Sequence, residues 1–306
     1  RQWGWKANGY NWFHTYLNYS SPLFATDGYE AAKGLERSYR FADILHFHNG
    51  NSLLAGYRDL SFLQSLGKKA VMHHWGSDVR IIEEANRHLP FPLPPGYDSS
   101  QRIRNRLQTT ATFIEHAIIQ DYELYPYVAP YYKKVHILPL AIDASSFSPR
   151  FPDPMKEEPL ILHAPTNPSF KGTALIEEAL SDLRSSHRFR YQRIERMSHD
   201  EALRWYNEAD LIIDQVLCGS YGLFSVEGMA LGKPVLAFLS EEVRRAIPHP
   251  VPIVQTDPAK IAEALLPLLQ DGRLRQEMGR AGRAFVERYH DLQAVIPKLI
   301  RIYEEL

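Results

Sequence analysis

The sequence predicts an α/β protein built from two doubly wound, parallel-sheet domains. Three observations carry that prediction. The 306 residues suit two domains of about 150 residues each. In the second half, short apolar runs alternate with helical stretches, the pattern of strands joined by crossover helices. Near the midpoint Pro149, Pro152, Pro154 and Pro159 crowd together, which places a boundary at about residues 148–158 and the domains at 1–150 and 151–306. A composition of 44% hydrophobic and 23% charged residues belongs to a globular chain. The net charge of −1 creates no field that draws nucleic acid, which is excluded as a partner. The single cysteine, Cys218, excludes an internal disulfide and a cysteine-based zinc cluster, and suits a reducing cytosol. No apolar run approaches the roughly 18 residues that span a bilayer, and the start, RQWGWKANGY, lacks a signal-peptide layout.

Taken in order, residues 1–40 show no apolar strand. Their aromatic residues (Trp3, Trp5, Tyr10, Trp12, Phe13, Tyr16 and Tyr19) suit packing onto a sheet or stacking on sugar rings. Ala42–Phe47 reads as a strand carrying His46 next to His48, Ser52–Leu66 as a helix, and Lys69–His73 as a strand leading into HHWGSDVR. His73 and His74 point to opposite faces, so one of them faces any cleft. Asp78 suits a cap of the following turn, with Arg80 as its ion-pair partner. The proline-rich stretch Leu89–Gly96 is a loop. Arg102, Arg104 and Arg106 form a basic run that suits an acidic acceptor, lipid head groups or a solvated face. Phe113–Gln120 and Val135–Pro139 complete the strands of this half.

The second half is clearer. Leu160–Ala164 is a buried strand, and TNPSFKG leads into a helix over Thr173–Leu183. Phe189–Ile194 is a second strand. Ser198 and Glu201 have capping-box spacing for a helix to about Ala209. Asp210–Asp214 is a third strand, and the Gly222 loop, a helix holding Glu227 and a strand from Val235 follow. Asp257-Pro258 predicts the cap of a helix stopping at Asp271-Gly272, and helices over about 273–289 and 292–305 end the chain.

The segment GSYGLFSVEGMALGKPV, residues 219–235, carries the functional signal. Unpaired amides at a helix start are ligands for phosphate oxygens, and a carboxylate one turn further in accepts bonds from sugar hydroxyls. Lys171-Gly172 stands at a second helix start, where an ammonium can meet a diphosphate. The histidines His46, His48, His73 and His74 show no carboxylate at supporting spacing, so no metal site is expected.

Residues 219–235 resemble the donor site of the GT-B glycosyltransferases, in the retaining group called family 4 or group 1, whose pattern is EGFGLxxxEAMAxGxPV. ILHAPTNPSFKG resembles that group's GRxxxxKG stretch and a bacterial form, HAPSNxxxKG; HHWGSDVR resembles its HGSD-like stretch, and LPLAIDASSFSP its interdomain connection. The resemblance covers most of residues 42–300. It implies a GT-B fold, two Rossmann-like domains across a cleft, with the acceptor on the N-terminal side and the nucleotide sugar on the C-terminal side. It assigns Lys171 to the diphosphate, with Asn167 or Thr166 in place of the family's arginine, and Glu227 to the ribose hydroxyls. Backbone of Gly172, Ser220, Tyr221, Gly222 and Leu223 would meet phosphate and sugar, joined by Gly76 from the N-terminal domain. His74 is the cleft-facing histidine near the reacting centre, so His74, Lys171 and Glu227 are the expected catalytic group.

The family's first strand and glycine-rich loop have no counterpart in residues 1–40. Its first acid is replaced by Gly219, so the sugar is held by Asp214 or Gln215, or by backbone and water, or activity is lost. The expected reaction is retaining transfer from a UDP- or GDP-linked sugar to a saccharide, lipid-linked or small-molecule acceptor. No cofactor or metal is expected, and the expected location is the cytoplasm with peripheral contact at the inner membrane face. A non-catalytic GT-B homologue and a nucleotide-sugar epimerase are the rival readings.

Overall fold

A computed structural model describes residues 3–11 and 24–306. Two short strands, β1 (Tyr10–Asn11) and β2 (Phe24–Ala25), pair in parallel apart from the main sheets. Helix α1 (Gly28–Phe41) starts where the Asp27 carboxylate accepts the N–H groups of Tyr29 and Glu30, relieving two of the unpaired amides of its first turn. The N-terminal sheet contains β3 (Ile44–His48), β4 (Lys69–His74), β5 (His116–Ile119) and β6 (Lys134–Ile137), all parallel and in sequence order. Between them run α2 (Arg58–Ser65), α3 (Ile82–Ala85), α4 (Ser100–Phe113) and α5 (Tyr125–Val128).

The helix expected over Ser52–Leu66 begins only at Arg58. Gly56 and Tyr57, at φ 71° and 60°, turn left-handed and block an earlier start. Phe113 closes α4 instead of opening a strand. The arginine run therefore lies on a helix, whose buried residues Ile103, Leu107 and Thr110 recur at helical spacing.

The C-terminal sheet holds β7 (Leu160–His163), β8 (Arg190–Arg193), β9 (Leu211–Ile213), β10 (Val235–Ala237) and β11 (Val254–Gln255), in the order β11-β10-β9-β7-β8. Its helices are α6 (Pro168–Lys171), α7 (Thr173–Leu183), α8 (His199–Glu208), α9 (Leu223–Ala230), α10 (Glu241–Ala246), α11 (Ile261–Gln270) and α12 (Gly272–Tyr289). The Ser198–Glu201 capping box forms as read. Asp257 does not cap α11, which begins behind Lys260; its carboxylate accepts the Ala259 N–H in the preceding turn instead. Asp271 opens α12 by accepting from Arg273 and Leu274.

Alternation along β7 explains the layers. Ile161 joins one apolar cluster with α7 and α11 residues such as Ile176 and Leu265, and Leu162 joins another with Val226 of α9 and Val286 of α12. Chain order reverses between β7 and β9, so the loops after these strands leave toward opposite faces and open a crevice. The last helix, α13 (Leu292–Glu305), does not stay with the C-terminal sheet. Val295 and Ile302 pack on Val71, Ile118 and Leu138 of the N-terminal domain, so the 151–306 segment returns its end to the first domain. The loops at the carboxyl ends of both sheets meet across a cleft, where Ser220 Oγ donates to Asp121 Oδ2 at 2.9 Å.

Candidate active site

The crevice between β7 and β9 gathers the strongest sequence candidates. Asn167 caps the one-turn helix α6, accepting the Phe170 N–H at 3.1 Å. Its own amide reaches across the cleft to the Tyr97 hydroxyl at 3.4 Å. Gly172, at φ 78°, ends α6 and starts α7. This geometry turns Lys171 inward, and its Nζ meets Asp214 Oδ1 at 2.5 Å. Asp214 directly follows β9 and is fully buried. Its other oxygen accepts the Gly222 N–H at 3.0 Å and the Ser225 hydroxyl at 2.6 Å. Burial pushes this carboxyl upward, but the Lys171 charge and these bonds outweigh it and hold Asp214 below its ordinary value.

Gly222 caps α9 with its backbone against the ion pair. A Cβ there would lie 3.3 Å from Asp214 Oδ2 and 3.4 Å from Lys171 Nζ, so a side chain would press on both. The Leu223 and Phe224 amides head α9 with no carbonyl of their own helix to pair with. Beside them stands Lys171, whose charge Asp214 balances, while the helix dipole adds a partial positive charge at the start of α9. Glu227, one turn further in, is 6% exposed, while Leu223 stands exposed at the rim. Lys171 and Gly222 thus meet around Asp214 at the switch point, with Gly172 beside Lys171 in the chain and Leu223 and Glu227 following Gly222 on α9.

Other candidates occupy different positions. Ser220 is buried; its hydroxyl binds Asp121, and its carbonyl accepts the Gln215 side-chain amide at 2.5 Å. Tyr221 turns its hydroxyl to His290 Nε2 at 3.1 Å, leaving backbone as its contribution at the loop. Gly219 has φ 79°, and a Cβ there would stand 3.0 Å from the Ser240 Cβ and 3.3 Å from Leu89 Cδ2. An acid there would be strained by the left-handed backbone and crowded by Ser240 and Leu89. Without donor, Asp214 is engaged by Lys171, Ser225 and Gly222, and Gln215 braces Ser220.

In the N-terminal domain the structure reverses the choice between the adjacent histidines. His74 is fully buried, with Nδ1 2.7 Å from Asp78 Oδ2 and Nε2 3.0 Å from the Tyr132 hydroxyl. Both nitrogens are engaged inside the domain, so His74 does not face the cleft. Asp78 also accepts the Trp75 and Gly76 N–H groups at 3.0 and 3.1 Å, so it closes the turn before it, and the Gly76 amide is spent there. Arg80 pairs with Glu123, not with Asp78. The contact is bidentate, at 2.8 and 2.6 Å, and the guanidinium lies 5.0 Å over the Phe170 ring of α6.

Arg80 and Asp121 are cleft residues that sequence reasoning missed. The available signal was position, since each directly follows the end of a strand or its turn. Burial pushes the Asp121 carboxyl up to about 6, with the Glu123 charge adding to it. The basic run is largely paired: Arg104 pairs with Glu84, and Arg102 and Arg106 share Asp98. Trp3, Trp5 and Tyr10 are exposed; Trp12, Phe13, Tyr16 and Tyr19 lie outside the described residues.

Two facing Rossmann-like domains, a crevice at the C-terminal switch point and a final helix returned to the N-terminal sheet define the fold of the GT-B glycosyltransferases. Solved structures agree on that fold. The Anabaena protein HepE, in complex with UDP and glucose, matches with a TM-score of 0.62 at 12% identity over 94% of this chain and 84% of its own. Sucrose-phosphate synthase from Thermosynechococcus elongatus matches with a TM-score of 0.57 at 14% identity, over 94% and 81%. Among curated proteins, a phosphatidyl-myo-inositol mannosyltransferase of Mycobacterium leprae is 38% identical over 90 residues, 28% of this chain. Its counterpart in Mycobacterium tuberculosis is 35% identical over 92 residues. These matches span 23% and 24% of the relatives' lengths. No protein-family model matches the chain.

Proposed function

We propose that this chain is a glycosyltransferase that moves a sugar from a nucleoside-diphosphate sugar to a hydroxyl acceptor held in the interdomain cleft. One observation carries the reading: Lys171, the Gly222 loop and the start of α9 meet at the switch point around buried Asp214. Lys171 and the leading α9 amides offset the charge that builds on the departing diphosphate. Glu227 receives the ribose hydroxyls. In the retaining course, the acceptor hydroxyl attacks on the face that the diphosphate leaves, and its proton passes to the departing phosphate oxygen. Diphosphate departure of this kind calls for no metal at the crevice. The contacts Ser220–Asp121, Asn167–Tyr97 and Phe170–Arg80 are those that a closing cleft would make, excluding water from the donor.

The donor is UDP- or GDP-linked in this proposal. UDP is in keeping with the HepE complex, and a mannosyl donor with the mycobacterial relatives. Saccharides, lipid-linked saccharides and small hydroxyl compounds are the acceptor classes. No helix among the described residues is long and apolar enough to cross a membrane, and the proposal places the protein in the cytoplasm with peripheral membrane contact. A second reading, a homologue that binds the donor without transfer, is favoured by Gly219, where an acid would be strained and crowded. Donor turnover separates the two: a transferase slowly hydrolyses its nucleotide sugar without acceptor, and a binder releases it intact.

A further inference from the structure

Beyond the donor site, the carboxyl ends of β3 and β4 carry a second cluster. His46 and His48 are two residues apart on β3 and share a face. The parallel register sets His73 of β4 directly opposite His48, which brings the third imidazole to the same face. One ring nitrogen from each of the three lies within 4.8 Å of the others. We infer that His46, His48 and His73 form a binding site for a single divalent transition-metal ion of the zinc class.

The contacts around each ring support a ligand role. His46 Nδ1 meets the Tyr303 hydroxyl of α13 at 2.6 Å, and its Nε2 faces His73 Nδ1 at 3.2 Å. When Nδ1–H donates to Tyr303, the Nε2 lone pair is left for a metal, the outer contact that orients ligating histidines. The 3.2 Å separation is close to the ~3.3 Å between two nitrogens on a tetrahedral ion with ordinary zinc–imidazole bonds. His73 differs sharply from its neighbour His74. Both nitrogens of His74 are tied inside the domain, whereas buried His73 turns Nδ1 toward His46 and has no partner for Nε2 among the described residues.

His48 is the exposed member and the one that must move. Its Nδ1 lone pair now accepts the Trp75 indole N–H at a long 3.3 Å, and coordination through that nitrogen would replace this bond. Trp75 also stacks on His73, ring centroids 4.1 Å apart, so it reports directly on the site. Three imidazoles with no oxygen donor suit zinc, cobalt, nickel or copper and disfavour magnesium and calcium. The exposed side at His48 leaves a fourth position for water or a ligand.

The test uses the full chain stripped with chelator, then dialysed against Zn2+ or Co2+ without nucleotide. The expected result is one ion per chain, visible Co2+ bands of a low-coordinate nitrogen site, a change in Trp75 fluorescence absent in Trp75→Phe, and no binding of Mg2+. His48→Ala, at an exposed position, should lose the ion while keeping its circular dichroism and melting profile. Tyr303→Phe should weaken affinity about 10- to 100-fold. Lys171→Ala should bind metal as the parent does, so failure of the donor site and failure of this site are read separately. The second histidine pair, His116 and His136, 3.0 Å apart, is the control. Absence of stoichiometric Zn2+, an unchanged affinity in His48→Ala, or loss only in His116→Ala would each overturn the inference.

Discussion

Lys171 and Asp214 are each other's counter-charge until a diphosphate reaches the crevice, and that pairing makes the lysine's roles separable. Lys171→Ala leaves a buried carboxylate with two hydrogen bonds and no cation, at a cost of about 3 kcal/mol. Adding Asp214→Asn removes the uncompensated charge, so the double variant should regain most of the lost stability in urea unfolding. It should not regain nucleotide affinity; recovery of both would make Lys171 a structural residue only. Asp121 gives a pH prediction with a defined sign. Its folded value of about 6 lies above the unfolded ~3.9, so the folded state favours the protonated form. The stabilisation is complete below the unfolded value and is lost as pH rises through 6. Asp121→Asn stays neutral, so its melting temperature should exceed the parent's at neutral pH and converge with it in acid. A gap that does not vary with pH would contradict this account of the buried Asp121 carboxyl. Sequence told little about such residues. His74 and His73 are neighbours of the same type, and only the packing of Tyr132 and Asp78 decides which one is enclosed.

At the scale of elements, the C-terminal half was legible because its signals are local. The Ser198–Glu201 box, the strand Leu160–His163 and helix α7 all depend on residues close in sequence. The same holds for the Gly222–Glu227 loop and helix. What was not legible depends on pairing. The register that sets His73 opposite His48 joins two strands separated by a helix, and no spacing within either strand encodes it. Left-handed Tyr57 and the misread start of α11 are likewise settled by their surroundings. The packing of α12 on α9 and its following turn offers a direct test. A Cβ on Gly279 would come 2.1 Å from the Gly232 carbonyl oxygen, a backbone atom that cannot rotate aside. Gly279→Ala should therefore cost about 1–3 kcal/mol in urea unfolding, and a neutral effect would show that the two helices are free to separate.

At the scale of the whole molecule, the two domains are joined by more than the residue 148–158 connection. Helix α13 reads from sequence as a helix over about 292–305, and that reading does not say which sheet it covers. It covers the N-terminal one, through Val295 and Ile302. Ile302→Asp places a charge in that contact and should loosen α13, read as faster limited proteolysis after His290 with the C-terminal sheet intact. Unchanged cleavage would mean that α13 is not a fastening element. The central claim is that the crevice around Lys171, Gly222 and Glu227 holds a nucleoside-diphosphate sugar. Calorimetric titration of the parent, Lys171→Ala and Glu227→Ala with UDP, GDP, ADP and their sugar conjugates tests it most directly. The account predicts saturable binding selective for a uracil or guanine diphosphate, weakened at least about tenfold, or 1.4 kcal/mol, in each variant. No binding of any nucleotide by the folded parent, or an affinity in both variants equal to the parent's, would contradict it.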